Sequence, residues 1–470
     1  MQFSLISFTL DRLSLLRHVW PGIALLALGM AGGQSVLAEP TPENVNRELL
    51  SITNLGDQIE KFSGYPSISE WGRRIAFVSN DPHVVSGADN QRRHVYVRDR
   101  ENNTTVLVSR GPEGPGDDQS YSPSISLDGR FVAYASSASN LVCKPACDKN
   151  GTLDIYLHDL DKRINTRISR GIKGESNGPS YTPSVSRDGN RVVFVSMASN
   201  LVDHDPNGEV ADVFLWDRFT GIKRIPPAVF AGRPMLDSHS PRISGDGRFI
   251  VFVTEEDTGD SHIMLHVIDP SLQGEGTHAI SLFSDLTRIG RNIEPSITEF
   301  GDFIAWVSNG YLGREGLEKA PLRIVVKQTS LFFAPLPDPL DAPVWLLNRE
   351  PGEQRQPRIF GIDYFGQIDL PNTYLSDNPF HGVAYTSIQK DRRDIVLQVN
   401  GNDGDFQNYL FTVSTSPIGE DANGPSAYPA AWGTLLPDDW YWFVAFQTEA
   451  TNLVVDENEA SDVVLISYPE

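Results

Sequence analysis

The sequence predicts an all-β chain folded as a β-propeller, and three observations carry that expectation. A proline stands ahead of a short β pattern seven times, at Pro66, Pro123, Pro183, Pro241, Pro295, Pro357 and Pro429, spaced by 54 to 72 residues. Some units are near copies: Tyr121-Ser-Pro-Ser-Ile-Ser-Leu-Asp-Gly-Arg130 is echoed by Tyr181-Thr-Pro-Ser-Val-Ser-Arg-Asp-Gly-Asn190, and Ala138-Ser-Asn-Leu-Val142 returns as Ala198-Ser-Asn-Leu-Val202 and Ala450-Thr-Asn-Leu-Val454. No helical period runs through a unit, and a repeat of this size made of short strands marks a propeller blade.

The unit at Pro183 shows each element. Pro183 to Ser186 is a short extended segment, and Asp188-Gly189 is a tight turn, because glycine tolerates positive φ. Arg191 to Ser196 is the second strand, Asp212 to Trp216 the third, and Ile222 to Ile225, after a turn over 217–221, the fourth. The second strands (Ile75–Val78, Phe131–Tyr134, Val192–Val195, Ile250–Val253) are apolar without a break, as suits a strand covered on both faces by neighbouring blades.

The last unit stops at its third strand, Asp462-Val-Val-Leu-Ile466, and an orphan strand, Leu49-Leu-Ser-Ile-Thr53, precedes the first proline. The N-terminal strand is expected to complete the last blade, leaving no open edge at the seam and giving seven four-stranded blades. Residues 328–356 and 363–380 carry extra Pro and Gly and fit the template poorly, so a six-bladed ring with an insertion fits the same residues.

Arg12 and Arg17 precede the apolar run Ile23–Met30, and Val36-Leu-Ala38 offers a small-residue cleavage site, so residues 1–38 read as a signal peptide and 39–470 as one propeller domain. The apolar run is too short to span a bilayer, and no membrane insertion is expected after cleavage. The rival reading is an uncleaved anchor. The formal net charge is −22; removing residues 1–38 takes away Asp11, Arg12 and Arg17 and leaves −23. Charge of that sign repels phosphate backbones and anionic headgroups, which argues against nucleic acid and membrane surfaces as partners. Cys143 and Cys147, the sole cysteines, read as one loop disulfide in an exported protein.

The phrase Pro-Ser-Ile-Ser-x-Asp-Gly-Arg, an apolar strand, Ala-Ser-Asn-Leu-Val, an Asp/Asn/Gly loop and then Asp-Val-Phe-Leu-x-Asp resembles the WD40-like (PD40) repeat of TolB-type β-propellers. Residues 123–225 match best, 429–468 well, and 66–110 and 241–269 in part. The resemblance implies a periplasmic or secreted propeller with an interaction surface. It departs from that family in having no α/β domain before the propeller and in its seven units. A propeller motif specifies fold far better than activity.

In a blade, the loops between strands two and three and the connections between blades emerge at one end of the ring, and the Asp-Gly turns at the other. The long polar loops (143–154, 203–212, 456–462, 174–180, 419–426) all belong to the first end, where binding is therefore expected. Tyr121, Tyr181 and His239 precede equivalent prolines and are expected either to line the channel mouth or to wedge between blades. Asp203-His-Asp-Pro-Asn-Gly208 followed by Asp212 resembles the start of a calcium loop, with Asp203, Asp205, Asn207 and Asp212 as Ca2+ ligands. The alternative is that these side chains cap turns through their own backbone. His262 and His266 lie four apart on a strand, ~13 Å, too far to share an ion.

The string Gly174-Glu175-Ser176-Asn177-Gly178 falls in a polar connection between blades with no helical pattern after it and so is no nucleophile elbow, and no His-Glu-x-x-His or Walker loop occurs in the sequence. The sequence therefore reads as an exported, non-catalytic propeller acting as a protein-interaction scaffold for a cell-envelope or secreted protein, with a glycan the other ligand class. The rival is a carbohydrate-active enzyme, a polysaccharide lyase or hydrolase with its site in the central channel.

Overall fold

The computed structural model describes residues 45–88, 92–144, 147–227, 237–257, 259–269, 276–281, 291–301, 303–308, 323–328, 344–347, 362–365, 381–389, 392–400, 408–415, 420, 422–436, 439–454, 458 and 460–468. The leader expected over 1–38, the anchor Pro357 and most of 328–356 and 363–380 lie outside them. Among the described residues the strands form seven four-stranded antiparallel sheets and one two-stranded ribbon, Arg110–Gly111 with Gly114–Pro115.

The first sheet is Ser63–Ile68, Arg74–Ser79, His94–Asp99 and Thr104–Leu107; the second is Ser120–Ile125, Phe131–Ser136, Asp154–Asp159 and Ile164–Arg167; the third is Ser180–Val185, Arg191–Ser196, Asp212–Asp217 and Gly221–Ile225. The fourth runs Ser238–Ile243, Phe249–Glu255, Ser261–Val267 and Gly276–Ala279. The fifth opens at Asn292–Ile297 and the sixth at Ile362–Phe365. The seventh is Ser426–Leu436, Asp439–Thr448, Asp462–Tyr468 and, from the other end of the chain, Asn46–Leu49. This N-terminal strand pairs Leu49 with Val464 and Asn46 with Ser467, so it begins three residues before the segment that the sequence marked.

First strands of successive sheets lie against one another from the first sheet to the seventh, and Ser426–Leu436 packs in turn against Ser63–Ile68. Sheets stack face to face because the middle strands alternate sides. In the first sheet Ala76 and Val78 join Val132, Tyr134 and Tyr156 of the second, while Ile75 and Phe77 join Ala445, Val463 and Leu465 of the seventh. In the third sheet Val192 and Phe194 face the second, while Val193 and Val213 face the fourth. An unbroken apolar strand is thus two cores read alternately, and each fully buried Val or Phe contributes roughly 1.5–3 kcal/mol.

The anchoring prolines sit at β-bulges. In six sheets the ladder slips between the residues flanking each Xaa-Pro pair (Gly64/Ser67, Tyr121/Ser124, Tyr181/Ser184, His239/Arg242, Ile293/Ser296, Ala427/Ala430). The residue before the proline is left-handed every time: Tyr65, Ser122, Thr182, Ser240, Glu294 and Tyr428 have φ of 48–53°. Two residues drop out of the ladder there, and a proline without an N–H leaves no donor unpaired.

The Asp-Gly turns are as regular. Ser126 Oγ accepts from Phe131 N, Asp128 accepts from Arg130 N, and Gly129 holds φ at 74°. At Gly189 (φ 65°) a Cβ would also fall on the Phe131 ring of the preceding sheet, so glycine is needed twice over. Among the described residues no helix is long and apolar enough to cross a membrane.

Candidate functional site

At the Asp-Gly end, the turns after the first strands meet their counterparts from other sheets. Glu70 N donates to Leu127 O (2.9 Å), Arg187 N to Gly245 O (2.8 Å), and Asp246 N to Glu299 O (2.9 Å). The Arg187 guanidinium ion-pairs with Glu70 of the first sheet (2.6 Å) and with Glu299 that follows the first strand of the fifth. One side chain thereby bridges three alternate sheets at that end.

The left-handed bulge residues lie earlier on the same first strands. The Tyr65 and Tyr428 rings are 4.7 Å apart, tilted by 48°. Burial, the hydrogen bond with Tyr65 and the nearby Glu294 carboxylate raise the Tyr428 hydroxyl above its usual range, against the charge of Arg393. Residues of the first, fifth, sixth and seventh sheets therefore converge on Tyr428. Reading one position too early missed these residues; the signal was the residue directly before each proline.

Tyr121, Tyr181 and His239 sit one residue earlier and reach neighbours instead of one another. The Arg93 guanidinium lies over the rings of both Phe62 (5.0 Å) and Tyr121 (5.8 Å), which wedges Tyr121 between the first and second sheets. Burial, then the Asp237 charge, raises the Tyr181 hydroxyl. His239 bonds Ser240 Oγ through Nδ1 (3.0 Å) and approaches Glu255 through Nε2 (3.3 Å). Only Tyr121 is thus placed between two sheets, whereas His239 bonds within its own.

Third-strand residues are tied to a serine that follows the fourth strand. Ser109, Ser169, Ser281, Ser414 and Ser51 accept the backbone N–H of Val95, Ile155, Ile263, Ile395 and Val463. Ser169 Oγ also donates to Asp154, and Ser51 Oγ to Asp462. The aspartate that opens a third strand is therefore a structural acceptor. In the third sheet Pro226 stands where this serine would be, and the Arg224 guanidinium forks Asp212 instead, Nε and Nη2 each 2.7 Å from a carboxylate oxygen.

The four residues expected to hold Ca2+ are placed accordingly. Asp212 is buried against Arg224, Asn207 donates to Asp212 Oδ1 (3.3 Å), Asp205 caps Asn207 N, and Asp203 is exposed. The loop's inner carboxylate is already neutralised by a cation of the chain itself, and its asparagine and second aspartate behave as turn caps.

The matching loop of the second sheet gathers more charge. Arg167 lies 2.7 Å from Asp148, 3.3 Å from Asp154 and 2.6 Å from Glu175. These three carboxylates are the acidic group that lies close enough together to share an ion among the described residues. Burial and the neighbouring Asp148 push Asp154 up to about 7, whereas bonds to Asp154, Asn150 N and Arg167 hold Asp148 low despite burial. Cys143 and Cys147 are joined by a disulfide at the head of this loop. His262 bonds Glu256 (2.7 Å) and His266 bonds Thr277 (2.9 Å), so the two histidines serve separate partners.

No family model matches the chain, and no curated protein matches it. Among solved structures it is similar to TolB from Acinetobacter baumannii, at 18% identity and a TM-score of 0.34 over 59% of this chain and 53% of that one, so it spans about half that structure's length. It is similar to a putative TolB from Agrobacterium tumefaciens at 18% identity and TM-score 0.36, over 61% and 80% of the two chains. A third likeness, at 10% identity and TM-score 0.48 over 86% and 94%, is to the β-propeller domain of the Trilobed protease from Pyrococcus furiosus. These likenesses go no further than the fold, which rests on the chain's own strand pairing.

Proposed function

We propose that this chain is an exported, non-catalytic propeller that recruits a cell-envelope or secreted protein on its loop-rich end. The observation that carries the reading is the asymmetry of the two ends. The Asp-Gly end is interlocked by backbone bonds and the Arg187 bridge, whereas the loop end presents apolar side chains to solvent. Among the exposed large apolar side chains, Leu55 (89% exposed), Ile172, Met197 and Tyr428 stand at the loop end, Val106 and Ile164 on outer strands, and Phe219 on a turn at the other end. Exposed apolar groups rimmed by polar loops are what a protein partner covers.

The chemistry of the described histidines fits a scaffold, since His94, His158, His262 and His266 are each held by a neighbouring side chain within a third strand. The test is affinity capture from native envelope extract with the mature protein, followed by the same capture with Leu55→Asp/Met197→Asp and with Phe219→Asp. A saturable partner lost only in the first variant supports the reading. A partner lost only with Phe219→Asp places recognition at the other end, and turnover of a polysaccharide by the purified chain replaces the scaffold with an enzyme.

A further inference from the structure

We propose that the outer edge of the third sheet is a docking groove for an extended acidic peptide segment of a protein partner, an inference that deepens the scaffold reading and rests on it. A groove of about 560 Å³ runs beside the edge strand Gly221–Ile225, between the hairpin at Arg170–Gly174 and the loop that follows Leu201. Ile172 and Ile222 supply its apolar lining above the buried Leu201.

Charge selects the occupant. On a chain of net charge −22 this groove is lined by Arg170, Lys223 and Arg224 against a single carboxylate, Asp203. Arg224 is committed to Asp212, but Arg170 and Lys223 are exposed and neither is ion-paired among the described residues. Two uncompensated cations, Arg170 beside the apolar lining and Lys223 on the other face of the edge strand, favour a ligand that alternates carboxylates with aliphatic side chains.

The backbone supplies the third element. Gly221–Ile225 pairs with Asp212–Asp217 along one edge and is the outermost strand of its sheet, so its other edge offers N–H and C=O groups to an added strand. A strand laid there turns successive side chains to opposite faces, as an alternating acidic and aliphatic sequence requires. The outer strands of other sheets lack the lysine: the register position of Lys223, opposite Leu215, is held by Thr166 in the second sheet, His278 in the fourth and Val106 in the first.

The test is fluorescence anisotropy with a fluorescein-labelled heptapeptide alternating glutamate and valine, and with its lysine–valine counterpart, against the mature protein. The glutamate peptide is expected to bind, to weaken as salt is raised, and to lose about tenfold in affinity in Arg170→Glu/Lys223→Glu, whose exposed positions leave the fold intact. Equal binding of the two peptides, or undiminished binding to the double variant, overturns the groove. Absence of peptide binding while the loop-end partner is still captured overturns the groove alone and leaves the scaffold reading standing.

Discussion

In the second sheet one guanidinium, Arg167, faces three carboxylates; in the third, Arg224 faces one. The two arginines share a register position, opposite Tyr156 and Phe214, and both follow the same loop phrase, Asp-x-Asn-Gly and then an aspartate that opens the third strand. The second sheet keeps its serine, turns the phrase's own Asp148 onto Arg167 and adds Glu175, and is left with surplus negative charge beside which Asp154 is raised to about 7. The third sheet loses the serine to Pro226 and closes a one-to-one fork, although burial still raises Asp212. Identical local sequence thus yields a proton-holding cluster in one place and a balanced ion pair in the other, because the neutralising groups come from elsewhere.

Removing the cation is expected to have the largest effect. Arg167→Met strands buried carboxylates and is expected to cost about 3–5 kcal/mol at pH 8 in urea unfolding, more than Arg224→Met. Equal losses at pH 8 would erase the distinction between the clusters. Lowering the pH to 5 should narrow the gap, since Asp154 is then neutral.

The pH dependence itself comes next. Asp154 has its folded pKa raised to about 7, above its unfolded value, so the folded state holds the proton more tightly. The stability that this proton contributes is fully present below the unfolded pKa and is lost as pH rises through about 7. Asp154→Asn should therefore gain on the wild type between pH 5 and 8, read as the difference between their melting temperatures. A constant difference across that window sinks the raised pKa of Asp154.

The serine staple is a smaller lever. Ser169→Ala leaves the Ile155 N–H without its acceptor and is expected to cost about 1–3 kcal/mol, whereas Pro226→Ser should fall within about 0.5 kcal/mol of neutral. The least effect is expected from calcium. With Asp212 already forked by Arg224, calcium over EDTA should leave the melting temperature unchanged. A rise that disappears in Asp203→Ala/Asp205→Ala would make the loop a metal site.

Much of the fold was legible because it is written locally. The proline anchors, Asp-Gly turns and apolar second strands each act within a few residues, and the N-terminal strand was recognisable as the partner missing from the last unit. The candidate site was read less well. Tyr121, Tyr181 and His239 were one residue off the left-handed bulge residues, because a bulge inserts a residue that a strict alternation of two does not count. Among the residues expected to hold Ca2+, Asp212 takes a partner that the loop itself does not show, since Arg224 lies 12 residues beyond it on the next strand.

The sequence alone determined the all-β repeat, the strand order within a unit and the end of the ring that carries long loops, since turn chemistry and side-chain alternation depend on neighbours along the chain. Tertiary structure alone decided which carboxylates are neutralised, which residues stand at the bulges and which end is bridged across sheets. Arg187 meets Glu70 and Glu299 from 117 and 112 residues away, and only folding brings such charges within ångströms and strips the water that would otherwise screen them.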